Sequence, residues 1–237
     1  TVTYGYPQLL LQTEISYADG TTERIVSDES WKLTTQGPIR TNNEYDGEEY
    51  DARMEIPGWN QVGFDDSKWQ NAQPVKAPGG ILKAQMMEPM RVTQVLKPVA
   101  ITNPKPGVFL VDFGQSFYGT IRLKARAPRD TEVRMVSAYS VLPDGMLKTA
   151  DNRGAKVTDL YIFKGEGEEV WSPIFKGQGF RRVQITGYPG QLTADQFEGL
   201  VIHTDFDPVG QFDCSNDLVN RIHHAMRWGF RMFLRSA

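Results

Sequence analysis

Seven carboxylates crowd one region of this chain: Glu44, Asp46, Glu48, Glu49 and Asp51, then Asp65 and Asp66. Paired carboxyls are the equipment of acid–base hydrolysis. An inverting pair stands roughly 6.5–9.5 Å apart with a water between the two groups. One partner must also be kept protonated, by burial or by a like-charged neighbour in a cleft. Nearness in sequence does not supply that geometry, and each of these residues has a structural reading. Asp46-Gly47 makes a turn. Asp51 and Arg53 lie two apart on a strand, so they share a face and can pair. Asp65, Asp66 and Ser67 form a turn or cap ahead of Trp69. No residue of the chain is assigned a catalytic role.

A second chemistry is binding. A carbohydrate platform sets an aromatic face against the apolar side of a pyranose and planar polar groups against adjacent hydroxyls. Trp59 and Trp69, with Asn42, Asn43 and Glu48 near them in sequence, are of the required types. The competing reading puts the tryptophans in a sandwich core and makes the Asn-Asn pair a turn. Asp151-Asn152-Arg153 sits in a long loop after Asp144-Gly145, where a rigid scaffold could present it to a neighbouring domain. Gly114-Gln115 with Gly119 reads as a β-bulge and turn; it lacks the strand-to-helix context of a phosphate loop. His223 and His224 are adjacent, so on a helix they project about 100° apart and cannot serve one metal face. Cys214 lies just before a helix start without an evident base and reads as a buried small residue. Three histidines and one cysteine exclude a Cys/His zinc cluster, and no metal ligand is assigned.

The elements that must position these residues are mostly strands. Gln8–Tyr17 alternates loosely and ends at Ala18-Asp19-Gly20, a hairpin signal, with Thr21–Val26 as its partner. Short β-branched or aromatic runs follow at Val108–Phe113, Thr120–Ala125, Thr131–Ala138, Val157–Phe163 and Arg181–Thr186, punctuated by Pro/Gly/Asp turns. This spacing predicts sandwiches and not βαβ units. Lys97–Gly107 holds three prolines and reads as a domain junction. Beyond Asp205–Gly210 the period changes. Leu218, Ile222, Ala225, Met226, Gly229 and Phe233 form a helical stripe, with Ser215, Asn216 and Asp217 as capping candidates. Trp228, Phe230, Met232 and Phe233 make the end of that helix apolar on several sides, which predicts an exposed apolar patch wherever it lacks a partner.

Composition bounds the rest. The 237 residues carry 26 Lys+Arg against 29 Asp+Glu, a net charge of −3, so the basic footprint of a nucleic-acid binder is absent. No apolar run approaches the ~20 residues of a membrane helix. The opening TVTYGYPQLLL shows neither a basic n-region nor a cleavage pattern, so no signal peptide is expected and the compartment stays open between cytoplasm, periplasm and secretion.

An ordered set of motifs carries a resemblance. It runs through Ser27-Asp28-Glu29-Ser30-Trp31-Lys32, Gly37-Pro38-Ile39, Tyr45–Arg53, Pro57-Gly58-Trp59 and Phe64–Trp69. It continues through Glu88-Pro89-Met90-Arg91-Val92, Asp112-Phe113-Gly114-Gln115 with Gly119, Gly179-Phe180-Arg181-Arg182-Val183, and Phe212-Asp213-Cys214-Ser215 leading to Asn220. In this order the chain resembles the non-catalytic β region of bacterial α-L-rhamnosidases, the inverting glycoside hydrolases of family 78. The resemblance implies an N-terminal β-sandwich, a concanavalin-like sandwich, and a linker helix leading to an (α/α)6 catalytic barrel. It implies that the general acid and base lie in that barrel and outside this chain, and that earlier strands usually precede the Tyr4-Gly5-Tyr6-Pro7 stretch. Some relatives bind rhamnose through a calcium ion in this region. Calcium takes about six to eight oxygen ligands, some of which Asn42, Asn43, Asp46 and Glu48 could offer.

The expectation is therefore an all-β chain of two antiparallel jelly-roll or concanavalin-like sandwiches followed by one C-terminal linker helix. Its parts are 1–98, an N-terminal sandwich that lacks its first strands; 99–208, a concanavalin-like sandwich; and 209–237, the helix. The expected role is that of an accessory region of a bacterial, soluble enzyme acting on L-rhamnosides. The expected partner is the catalytic barrel of the same parent, with a homodimer left open, no nucleic acid, no membrane, and no cofactor beyond the calcium that relatives suggest. Asp151, Asn152 and Arg153 would border the active site of the barrel. The alternative is a rhamnose-binding module built on Asn42, Asn43, Glu48, Trp59 and Trp69.

Overall fold

The computed structural model describes residues 8–77 and 79–235; the Tyr4–Pro7 stretch lies outside them. In chain order the strands are β1 (Gln12–Ser16), β2 (Thr22–Val26), β3 (Lys32–Leu33), β4 (Ile39–Asn43), β5 (Gly47–Asp51), β6 (Gln70–Asn71), β7 (Met90–Leu96) and β8 (Ala100–Lys105). They continue with β9 (Val108–Ala125), β10 (Glu132–Ala138), β11 (Thr158–Ile162), β12 (Glu169–Trp171), β13 (Gln178–Thr186) and β14 (Phe197–Thr204). One α-helix, α1 (Asp217–Phe233), follows. The fold is β with a single helix at its C-terminal end among the described residues.

Contacts divide the chain into two compact units, each drawn from more than one stretch of sequence. Residues 1–37 and 56–84 form one, and residues 38–55 with 85–237 the other. The smaller unit holds the predicted hairpin β1–β2, closed by Gly20 at φ +85°, and the short ladder β3–β6. Among its described residues none is fully buried. The Trp31 indole donates to the Val26 carbonyl at 3.0 Å, and Lys32 pairs with Asp66 at 2.6 Å.

The larger unit is one ten-stranded sheet in the order β4-β5-β11-β10-β13-β9-β14-β7, with β8 and β12 also paired to β9. Its pairings are antiparallel except β5 on β11, which is parallel where antiparallel pairing was expected. Three further differences from the sequence reading concern β8, β9 and β13. Lys97–Gly107, expected as a junction, also contains β8, which pairs with β9. An edge position tolerates its prolines, and the register slips between Thr102 and Lys105, around Pro104. The runs 108–113 and 120–125 are one 18-residue strand. β13 starts at Gln178, earlier than Arg181.

What makes β9 continuous is a bulge. Gly114 takes φ +75°, in the expected place, and the β9–β13 register shifts between Phe180 and Arg182. Asp112 holds the distortion. Its Oδ1 accepts from the Gly114 amide at 2.7 Å and from Arg181 Nε at 2.8 Å, and Arg182 reaches its Oδ2 at 2.8 Å. The motifs Asp112–Gln115 and Gly179–Val183, far apart in sequence, thus meet across one strand pair. Because the bulge preserves alternation, Phe109, Val111, Phe113, Phe117, Ile121, Leu123 and Ala125 all face inward. They join Val133, Met135, Tyr161, Phe163, Phe180, Val183, Ile185 and Phe197 in one core cluster. Gly119 lets two strands touch: a Cβ there would lie 1.8 Å from the Leu200 carbonyl oxygen.

The helix begins where the capping candidates placed it. Asn216 is the N-cap, accepting from the Leu218 amide at 3.0 Å and the Val219 amide at 3.4 Å. Cys214, read as buried, is only half-buried; its amide donates to Asn220 Oδ1, which clips the entry segment to the first turn.

Asp112 also sets an acid dependence. Burial raises its carboxyl, but the hydrogen bonds from Arg181 and Gly114 and the charges of both arginines outweigh this and hold it below the usual range. A carboxyl lowered on folding contributes stability that is present above its unfolded pKa and lost as pH falls through the folded value. Asp112→Asn should cost about 2 kcal/mol at pH 7 by urea unfolding, and that deficit should shrink below about pH 4. A deficit of the same size at pH 7 and pH 3 would contradict this account of the clamp.

Candidate functional site

The β4–β5 hairpin carries three of the residues singled out for binding. Asn43 closes it: its Oδ1 accepts from the amides of Tyr45 at 2.8 Å and Asp46 at 3.1 Å, the side-chain turn expected of an Asn before a glycine. Gly47 follows at φ +115°, where a Cβ would lie 1.9 Å from the Thr158 carbonyl oxygen. The next residue, Glu48, is fully buried. Its Oε2 accepts from Asn42 Nδ2 at 2.8 Å and from the Ile174 amide at 3.3 Å. Its own amide donates to Asp159 Oδ1 at 3.0 Å, and Lys176 Nζ donates to both Asp159 oxygens at 2.7 Å. Glu48 Oε1 has no hydrogen-bond partner among the described residues.

Burial pushes the Glu48 carboxyl up, and the Asp159 charge adds to this against the hydrogen bonds from Ile174 and Asn42. A raised carboxyl is half of what a general acid needs, but this one is sealed from any substrate. The oxygens that could be offered to calcium are in part already engaged. Asn43 Oδ1 serves its own turn, Glu48 Oε2 is taken by internal donors, and among the described residues no three His, Cys, Asp or Glu side chains gather as a metal ion requires.

The remaining candidates fall in both units. Trp59 and Trp69 belong to the smaller unit, whereas Asn42, Asn43 and Glu48 belong to the larger. Trp59 is 61% exposed; Trp69 is half-buried with its ring edge-on to Phe64 at 5.6 Å. Asp51 and Arg53 pair as expected, through two contacts of 2.7 and 2.8 Å, with Arg53 in a 3-10 turn just past β5. Asp151, Asn152 and Arg153 lie on a loop held from inside: Asp151 accepts from Ser140 Oγ at 2.8 Å, and Asn152 donates to the Ser137 carbonyl at 3.1 Å. Arg153 ends the turn in the left-handed region.

Asp159 and Lys176 escaped the sequence reading. A signal exists for the first. Along Val157, Asp159, Tyr161 and Phe163, an acid occupies the inward register of an alternating strand, and a buried carboxylate there demands a cation.

The helix offers a different kind of surface. Trp228 enters the core cluster, its indole donates to His224 Nε2 at 3.0 Å, and the Leu234 carbonyl accepts from the Thr204 amide at 2.9 Å at the end of β14. The opposite side bears Leu218, Ile222, Met226, Phe230 and Phe233, all exposed. They recur at intervals of three to four, so they line one face.

Comparison with known proteins gives consistent matches. Residues 1–94 match the α-L-rhamnosidase N-terminal domain, and residues 102–203 match the bacterial α-L-rhamnosidase concanavalin-like domain. An α-L-rhamnosidase of Streptomyces avermitilis is 40% identical over 227 residues, 95% of this chain and 22% of that protein. Among solved structures, α-L-rhamnosidase from Dictyoglumus thermophilum superposes with a TM-score of 0.93 at 45% identity, over 98% of this chain and 26% of that one. The Streptomyces avermitilis enzyme complexed with L-rhamnose gives 0.89 at 38% identity, over 95% and 22%. The chain thus spans about a quarter of the length of these relatives.

Two substitutions test the buried cluster. Lys176→Met strands the Asp159 carboxylate in the core and should cost about 3–5 kcal/mol, while adding Asp159→Asn should recover part of the loss; a single-mutant cost under 1 kcal/mol would sink the pairing. Glu48→Gln addresses pH. A carboxyl raised on folding contributes stability fully present below its unfolded pKa and lost as pH rises through the folded one. The wild type should therefore lose ground to Glu48→Gln between about pH 4 and pH 7, read from denaturation midpoints.

Proposed function

We propose that this chain, which belongs to the α-L-rhamnosidase family through its N-terminal and concanavalin-like domains, is a non-catalytic support for hydrolysis of terminal α-L-rhamnosides. The single observation behind this reading is α1. One face is locked into the sheet by Trp228, and the other presents a stripe of exposed Leu, Ile, Met and Phe side chains. A surface of that composition is suited to a second apolar helical surface, and the catalytic barrel of an inverting rhamnosidase is the helical domain in question. The chemistry agrees: among the described residues, the carboxyl that burial pushes up, Glu48, is closed to solvent. In this reading Asp151, Asn152 and Arg153 form a braced loop able to border the active site of the barrel.

A second reading, carbohydrate binding, is favoured by Trp59, whose exposed indole could stack on a pyranose. It predicts heat of binding to L-rhamnose that vanishes in Trp59→Ala.

The support role is tested on the purified chain. It should release no product from an aryl α-L-rhamnoside and should self-associate at micromolar concentration in sedimentation velocity. Ile222→Lys with Phe230→Glu should make it monomeric without lowering its melting temperature. Turnover that is abolished by changing one carboxylate would refute the support reading, as would a wild type that stays monomeric at high concentration.

A further inference from the structure

The larger unit contains a cleft of about 250 Å³ that none of the residues discussed so far explains. It lies where the β4–β5 turn, β9, β13 and the end of α1 converge. Three tyrosines line it: Tyr45, Tyr118 and Tyr139. They are held there by backbone choices. Gly177 immediately precedes β13, which opens with Gln178-Gly179. A Cβ at Gly177 would come within 2.8 Å of the Tyr118 hydroxyl and 2.9 Å of its ring, and one at Gly179 within 1.9 Å of the Tyr139 hydroxyl. Glycine on both sides of Gln178 thus lets two phenol rings lie flush against the strand.

Polar groups converge on the same space. Gln178 lines the cleft, and its Oε1 is buried with no partner among the described residues. Glu44 and Arg235 stand at the wall with opposite charges, and the Arg235 guanidinium lies over the Tyr118 ring, 4.5 Å from its centroid. Tyr45, at the rim, is 68% exposed. Val157, also lining the cleft, holds φ +46°, a conformation a β-branched residue rarely takes. The Tyr45 carbonyl accepts from its amide at 3.0 Å, and its carbonyl accepts from the Ser137 amide at 3.2 Å. Strain of this kind persists where the surroundings over-determine it, and it gathers at ligand sites.

We propose that this cleft is a monosaccharide subsite for a neutral pyranose, distinct from Trp59. Phenol faces suit the apolar side of a sugar ring. A carboxamide, a carboxylate and a guanidinium suit its hydroxyls. The balanced charges of Glu44 and Arg235 disfavour an anion. The volume is below that of a drug-sized pocket and matches one sugar residue. Of the exposed apolar stripe of α1, Phe233 also lines the cleft, whereas Leu218, Ile222, Met226 and Phe230 do not.

The test is saturation-transfer NMR and calorimetry on the full chain with L-rhamnose and, separately, methyl α-D-glucopyranoside. Saturable binding of at least one sugar is expected, weakened at least tenfold by Tyr45→Ala and by Gln178→Leu. Tyr45 is exposed enough that its removal should leave the fold intact, checked by an unchanged melting temperature; Tyr139→Phe is the milder second variant if Gln178→Leu unfolds. Absence of binding to either sugar overturns the assignment, as does binding lost in Trp59→Ala and kept in Tyr45→Ala. Self-association through α1 is read separately with Ile222→Lys and Phe230→Glu, neither of which lines the cleft, so failure of one reading is distinguishable from failure of the other.

Discussion

The larger unit depends on one carboxylate at one irregularity. Asp112 sits two residues before the Gly114 bulge and takes the Gly114 amide, Arg181 and Arg182 at once. That clamp stands where β13 breaks its alternation, with Arg181 and Arg182 both turned from the core between buried Phe180 and Val183, while β9 keeps its own. With it, every odd residue of β9 from Phe109 to Ala125, apart from the bulge-adjacent Gln115, points inward or packs tightly at Gly119. β9 can then serve β8 and β13 along its first half and β14 and β12 along its second. The core is large because one strand is shared by so many neighbours.

Buried charge is the second organising feature. Asp159 and Lys176 are nearly fully enclosed, with side-chain exposures of 3% and 1%, and their contact is short at both oxygens. Such a pair adds little net stability over an apolar one, yet it penalises any arrangement that separates its members. Here it fixes the segment after β12 against β11, and through the Glu48 amide it fixes β5 as well. The parallel pairing of β5 on β11 thereby has a register that side chains enforce in addition to the ladder.

Much of this was legible in the chain itself. Asp19-Gly20 marked the first hairpin, Gly114 the bulge, and the Leu218–Phe233 stripe the helix, because each rests on a local rule of backbone freedom or periodicity. The ordered motifs pointed to the family that the comparisons support. What was not legible came from long-range choices. The three prolines of Lys97–Gly107 hid β8, because nothing local says that an edge position beside β9 will absorb them. Glu48 looked like part of a polar platform because its burial depends on Asp159 and Ile174, more than a hundred residues away. The tyrosine cleft was invisible for the same reason: Tyr45, Tyr118 and Tyr139 meet only once β13 and α1 are in place.

The pairing of β5 with β11 also has a history in time. Glu48 emerges from the ribosome 111 residues ahead of Asp159, the acceptor for its amide. At ~5–20 residues per second the β4–β5 hairpin waits roughly 6–20 s for the strand it will lie beside. During that interval its edge is unpaired and Glu48 is in water, where an ionised carboxylate is at ease. Burial comes later, together with Lys176. The chain therefore keeps this part of its sheet soluble while it is being made and seals it only when the far strand arrives.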